Sequence, residues 1–306
     1  MLRPRRIVSL LPSGTEIVAA LGMLDQLVGR SHECDFPPEV QRLPICCRPR
    51  IDVSLPGAEI DRQVKSRLHA GLSIFEVDTP LLRELQPDVI LTQTQCDVCA
   101  VTPQDLEAAL THGDHSPSVI DLRPQRLEQL FGDIHVVAMA LHVSDRGHDL
   151  VVDLRGSFES LRHQTVKARR KPTVGCLEWF EPLMAAGNWI PELVEIAGGE
   201  NAGAEPGQHS PWFRWEQLVE ADPEVLVLMP CGWDIARARA ESVSLTSDPR
   251  WSQLAAVRAG RVFVTDGHQF FNRPGPRLLE SAQILAEILH PAACDFGHRG
   301  RNWEKL

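Results

Sequence analysis

The chain has 306 residues, about twice the usual length of a single domain, so two domains or two lobes of one fold are expected. Hydrophobic residues make up 43% and charged residues 24%, which excludes a disordered chain, and no apolar run approaches the ~20 residues of a membrane-spanning helix. The formal charge of −10 excludes a surface built to neutralise phosphates, so nucleic acid is not the expected partner.

Residues 1–6 are basic, but the apolar stretch behind them is short and runs into Pro12-Ser-Gly-Thr-Glu16. No export signal is read there, so a cytoplasmic location is expected, or a periplasmic one if a leader has been trimmed away. Residues 6–11 predict a strand stopped by Pro12-Ser13-Gly14, after which Ile17, Val18, Ala20 and Leu21 recur at helical spacing. Residues 27–31 predict a second strand, leading into the polar loop His32-Glu-Cys-Asp-Phe-Pro-Pro38. Further strands are predicted over 73–77 and 88–92, with a helical stretch over 81–85 between them. Strands alternating with helices predict a parallel sheet covered by helices.

Residues 145–170 contain no proline and place Leu150, Leu154, Phe158, Leu161 and Thr165 on one helical face. One long connecting helix is predicted, stopped at the latest by Pro172, with a break near Gly147 or Gly156 as the alternative. The same grammar then returns, with strands over 173–177, 225–229 and 262–265 and a helix over 189–197. Leu85-Gln-Pro-Asp-Val and Ala221-Asp-Pro-Glu-Val read as equivalents, each a helix end, a Pro-acid turn and a buried strand. The fold class is therefore α/β, with two lobes of parallel sheets covered by helices and joined by one long helix. The boundaries are 1–122 for the N-terminal lobe, 123–171 for the connecting helical segment and 172–306 for the C-terminal lobe.

In open parallel α/β sheets, ligands lie beyond the carboxyl ends of the strands. The residues expected there are His32, Cys34 and Phe36, then Gln93 to Cys99, Glu178 and Trp179, Cys231 and Trp233, and finally His268 and Phe270. Convergence of these loops on an inter-lobe cleft would give a broad apolar ligand walls from Phe36, Trp179, Trp233 and Phe270. Polar contacts would come from His32, Gln93, Glu178 and His268. Tyrosine is absent while tryptophan occurs seven times, so aromatic recognition falls to Trp, Phe and His. A neutral imidazole at His32 or His268 could ligate a metal carried by the ligand.

The thiols support a different reading. Cys96-Asp-Val-Cys99 is half of a soft-metal site that Cys34 and Cys231 would complete, holding zinc or iron in a metal- or cluster-binding protein with redox or enzymatic activity. Cys176 and Cys294 read as packing residues. The glycine-rich nucleotide motifs, the nucleophile elbow and the His-Glu-x-x-His zinc motif do not occur, so the binding reading carries no expected enzyme activity.

Five stretches carry a resemblance. Ser9-Leu-Leu-Pro-Ser-Gly-Thr-Glu-Ile17, Asp35-Phe-Pro-Pro38, Leu85-Gln-Pro-Asp-Val-Ile90, Ala197-Gly-Gly-Glu-Asn201 and Pro274-Gly-Pro-Arg277 resemble, in order and around a long central helix, the cobalamin-binding branch of the substrate-binding proteins of ABC importers. The resemblance implies two α/β lobes on a helical backbone, a ligand in the cleft, little movement on binding, and binding rather than catalysis. It also implies corrin contacts from Phe36 and Phe270. Gln93 stands where the family has a tryptophan, and Cys96 to Cys99 replace a glycine-rich stretch. Of the two glutamates that dock the importer, Glu216 matches one and Pro80 stands at the other. Together with the reading of no export signal, this implies a cytoplasmic offshoot holding a corrinoid-sized small molecule, without membrane insertion and without serving a permease.

Overall fold

The computed structural model describes residues 5–93, 101, 106, 117–168 and 170–306. The chain divides into two compact units, the first comprising Met1–Leu55, Glu59–Pro124 and Glu128–Asp153, the second Pro56–Ala58, Gln125–Leu127 and Leu154–Leu306.

The first unit contains strands β1 (Ile7–Ser9), β2 (Leu27–Ser31), β3 (Ile45–Pro49), β4 (Phe75–Val77), β5 (Val89–Gln93) and β6 (Ser118–Leu122). They form one sheet in the order β4-β3-β2-β1-β5-β6. β1 lies between β2 and β5, parallel to both, and its three residues are fully buried, which is why it reads as a continuous apolar run rather than an alternating one. Pro12 opens the helix Pro12–Ala20, where its missing N–H costs nothing. Only β4, at the edge, runs antiparallel. β3 escapes sequence reading because Ile-Cys-Cys-Arg-Pro carries little strand signal. Its two cysteines are buried and pack with Val8, Ile74, Phe75 and Ile90.

The second unit contains β7 (Thr173–Phe180), β8 (Leu183–Ala185), β9 (Glu200–Asn201), β10 (Val225–Leu228), β11 (Val262–Thr265) and β12 (Trp303–Lys305). Their order is β12-β11-β10-β7-β8, with β9 also on β7. β7, β10 and β11 are mutually parallel, and β8 and β12 close the sheet as antiparallel edges. β1, β2, β4, β5, β7, β10 and β11 follow the sequence expectation, whereas β3, β6, β8, β9 and β12 were not predicted. The buried helix Leu278–Leu289 holds the C-terminal segment through Glu287, whose carboxylate accepts from the backbone N–H of Phe296 and of His298 (3.1 Å) and from Trp303 Nε1 (2.7 Å).

The predicted long helix is continuous over Ser144–Thr165, 22 residues or about 33 Å at 1.5 Å per residue. It does not break at either glycine. Gly147 is where it meets the helix Leu127–Ala140, and a Cβ there would lie 2.4 Å from the Cβ of Ala138. It ends before the predicted limit because Thr165 Oγ1 turns inward and donates to the carbonyls of Arg162 (3.1 Å) and Ile196 (2.7 Å).

The two Pro-acid stretches are structurally equivalent. The helices Thr79–Leu85 and Trp215–Ala221 each end on a left-handed residue, Gln86 (φ 43°) and Asp222 (φ 33°), before the proline that leads into β5 or β10. Among the described residues, no helix is long and apolar enough to cross a membrane.

Candidate functional site

In the first unit, the loop leaving the carboxyl end of β2 carries His32, Cys34 and Phe36. Its shape is set by Arg30, a buried residue of β2 whose guanidinium donates to the carbonyls of Ser31 (3.0 Å), Cys34 (3.1 Å), Gln41 (3.1 Å) and Leu43 (3.3 Å). An arginine that satisfies so many loop carbonyls replaces its own lost hydration while fixing the turn. Sequence reasoning missed it, because an arginine within a predicted strand carries no sign of being buried.

The loop separates its three candidates. Phe36 points outward and keeps 37% of its surface exposed. His32 is half-buried, its ring 6.0 Å from that of Phe75 and its backbone N–H bonded to the carbonyl of Cys47 (3.3 Å). Burial, the largest influence, lowers its pKa below 6.5 and favours the neutral imidazole. Cys34 is fully buried, and Thr15 Oγ1 donates to its sulfur at 3.0 Å. It packs inside the unit as a buried thiol. Gln93, the last residue of β5, is buried against β6. Cys46 and Cys47 are pushed up by burial to about 12, well above the range of reactive thiols.

At the end of β6, Asp121 faces Asp133 of the helix Leu127–Ala140. Burial, reinforced by the Asp121 charge, raises the Asp133 pKa to about 7.

In the second unit, three carboxyl-end loops are joined by hydrogen bonds. Cys231 N donates to Glu178 O (3.2 Å), His268 N to Trp233 O (3.0 Å), and the Asn272 amide to Met229 O (3.1 Å) and Gly267 O (2.9 Å). Gly267 permits this closeness, since a Cβ there would lie 2.1 Å from Pro230 O. β7 runs to Phe180, three residues beyond the predicted end. Its last pair with β10 is Leu177↔Leu228, after which it pairs with β8. Glu178 and Trp179 therefore belong to a strand, on the part of it that extends past the β10 pairing.

Glu178 Oε2 accepts from Ser210 Oγ at 2.7 Å, and that hydroxyl in turn accepts from Gly187 N at 3.0 Å. Trp179 is partly buried, donates from Nε1 to Glu181 O (3.1 Å) and packs 4.7 Å from Trp233. Trp233 (3% exposed) and Phe270 (4% exposed) form the backing of these loops, with Arg237 4.8 Å from the Trp233 ring and Arg277 4.5 Å from the Phe270 ring. His268 Nε2 is 3.2 Å from Arg273 Nη2. A guanidinium only donates, so this contact is a hydrogen bond with Nε2 as the acceptor. Ser210 gave no sequence signal, because it acts only through partners distant in the chain, whereas Arg273, readable from the sequence as an arginine for a carboxylate or phosphate, contacts His268 instead.

Cys231 is exposed, and Cys96 and Cys99 lie outside the described residues. Among the described residues, no group of three or more His, Cys, Asp or Glu side chains could hold a metal ion. The zinc or iron reading therefore has no support in the described geometry. Glu216 is exposed but paired with Arg250 Nη1 at 2.6 Å, and Pro80 is exposed in the first turn of its helix.

Comparison with known proteins gives consistent results. A family model described as periplasmic binding protein matches residues 7–268. The vitamin B12-binding protein of Photorhabdus laumondii is 24% identical, with 94% of this chain and 88% of that protein covered. An uncharacterized ABC transporter substrate-binding lipoprotein, YvrC of Bacillus subtilis, is 23% identical over 94% of this chain and 81% of its own length. Among solved structures, the apo periplasmic heme-binding protein RhuT of Roseiflexus sp. RS-1 superposes with a TM-score of 0.72 at 22% identity, covering 95% of this chain and 100% of that one. The vitamin B12-binding protein BtuF of Vibrio cholerae gives 0.67 at 21% identity, covering 94% and 98%.

Proposed function

The chain belongs to the periplasmic binding protein family, a family of solute-binding proteins rather than enzymes, and on that premise we propose that it binds a large planar metal chelate, corrinoid or heme-like. The observation that carries this reading is the pairing of an exposed aromatic with a neutral imidazole at one strand end. Phe36 offers an apolar face, and His32, kept deprotonated by burial, offers a nitrogen suited to cobalt or iron. Similarity to proteins named for vitamin B12 and for heme supports the same ligand class.

Each unit offers its own candidate contacts: Gln93 joins Phe36 and His32 in the first, and in the second Trp179, backed by Trp233 and Phe270, joins Glu178, which Ser210 orients. His32 and His268 are both axial candidates, with Nε2 of His32 3.9 Å from Glu33 Oε1 and Nε2 of His268 3.2 Å from Arg273 Nη2. Docking to a permease would have one glutamate, Glu216, and would have to displace Arg250 from it.

Titration of the reduced protein with hemin, cyanocobalamin and cobinamide, followed through the Soret or corrin bands, tests the proposal. A saturable change at one chelate per chain supports it. A folded protein that changes no spectrum with any of the three overturns it.

A further inference from the structure

The first unit contains a cavity that no part of the reading above uses. It has a volume of about 360 Å³ and lies where the chain leaves the carboxyl end of β3, walled by Arg50 on one side and by the helix Gly57–His69 on the other. Glu59, Arg62, Gln63, Ser66 and Arg67 line it. Their spacing of three and four residues puts them on one helical face. That face presents donors to the cavity instead of apolar groups to the core.

The charge balance of the cavity differs from that of the chain. Three arginines meet one glutamate in its wall, in a protein whose formal charge is −10. Two of the arginines are held in place through Nε, which leaves their terminal nitrogens for another acceptor. Arg50 Nε donates to Phe75 O (3.2 Å) and Arg67 Nε to Ser73 O (2.9 Å). Glu59 pairs with Arg62 and accepts from Gln63 (3.4 Å). Arg50 reaches Glu76 only at 4.0 Å, and among the described residues Arg67 has no ion-pair partner. Arg50 and Arg67 are thus anchored while Arg62 is exposed beside Glu59, and planar guanidinium donors match a carboxylate or phosphate in pairs.

The cavity lies on the same edge of the sheet as the proposed chelate-binding loop. β2 and β3 are parallel neighbours, and His32 N bonds to Cys47 O, three residues before Arg50. Phe75 connects the two features, with its ring 6.0 Å from that of His32 and its carbonyl accepting from Arg50.

We infer that this cavity binds the anionic side arms of the chelate, so that the preferred ligand carries carboxylates at its periphery. This rests on the proposed function and narrows it, favouring a heme-like or carboxylated chelate over one whose periphery is uncharged amides. Phosphate has the same oxyanion chemistry, and a free anion could occupy the cavity without any chelate.

Hemin, hemin dimethyl ester and cyanocobalamin, titrated into the full chain and into an Arg50→Ala/Arg62→Ala variant and an Arg62→Glu variant, separate these cases. Thermal unfolding serves as the folding control. Hemin should bind more tightly than its ester, and the variants should lose about tenfold or more of hemin affinity while binding the ester unchanged. Equal affinity for hemin and ester, or no loss in the variants, overturns the inference and leaves the proposed function standing. If no chelate binds, the proposed function falls, and calorimetry with citrate and with inorganic phosphate decides the cavity alone. An arginine-dependent heat with citrate then retains a carboxylate site; heat with phosphate only, or with neither, overturns it.

Discussion

Replacing Phe36 by alanine should weaken ligand binding far more than it weakens the fold. The ring keeps 37% of its surface exposed, which for a phenylalanine of roughly 200 Å² leaves about 75 Å² for a ligand to cover. At about 25 cal/mol per Å², covering it contributes roughly 2 kcal/mol, or about thirtyfold in Kd. Phe270 is the internal contrast. At 4% exposure it has little surface left to offer a ligand, and its truncation should cost about 3–5 kcal/mol of stability. Each variant is titrated with hemin and with cyanocobalamin and unfolded in urea. Phe36→Ala should lose about thirtyfold in affinity for the chelate that binds, with a smaller stability loss than Phe270→Ala. Affinity within threefold of the parent, or a stability loss equal to that of Phe270→Ala, would refute the assignment of Phe36 to the ligand surface.

Asp133 has a pKa raised from 3.8 to about 7, so the fold favours its protonated form. Stability from this group is full below pH 3.8, declines as pH rises from there to about 7, and is level above that. The shift sets a ceiling of about 4 kcal/mol, which partial exposure reduces to about 2 kcal/mol. Asp133→Asn should therefore be more stable than the parent in urea at pH 8 and equal to it at pH 3.5, and an equal pH dependence in both proteins contradicts the assignment. His32→Ala should remove any axial-ligand feature from the bound chelate's spectrum. In the parent that feature should fade as the pH drops through the His32 value, which burial holds below 6.5, so a spectrum unchanged in the variant removes the axial role. Glu287→Gln keeps one acceptor oxygen and sets its amide N–H against either the Trp303 donor or the Phe296 and His298 donors, and should cost about 2–4 kcal/mol in urea unfolding; a cost under about 0.5 kcal/mol would show that the C-terminal segment is held by other contacts.

The parallel strands at the centre of each sheet were legible because burial on both faces gives an uninterrupted apolar run. β11 matches its predicted limits of 262–265, and β2 matches 27–31 although Gly29, Arg30 and Ser31 interrupt its apolar run. β3, β8 and β12 were not legible. Their pairing is settled by neighbours distant in the chain, and in β3 the adjacent cysteines drew attention to chemistry instead of packing. Placing candidate residues after predicted strands put His32 and Phe36 on the loop that follows β2 and Trp179 within an extended β7, but it could not tell which side chains are enclosed. Cys34 lies two residues from Phe36 and is enclosed, because the Thr15 hydroxyl and the Arg30 guanidinium draw that part of the loop inward. The arginine-lined cavity had no sequence signal at all. The helix face over residues 59–67 is polar and reads as solvated until Arg50 is seen opposite it.

The central claim is that this chain holds one large metal chelate. Native mass spectrometry of the full chain, incubated with an equimolar mixture of hemin, hemin dimethyl ester and cyanocobalamin, tests it most directly. The account predicts a one-to-one complex dominated by the mass of hemin. A spectrum of unliganded chain alone, recorded under conditions that preserve its folded charge states, would contradict it.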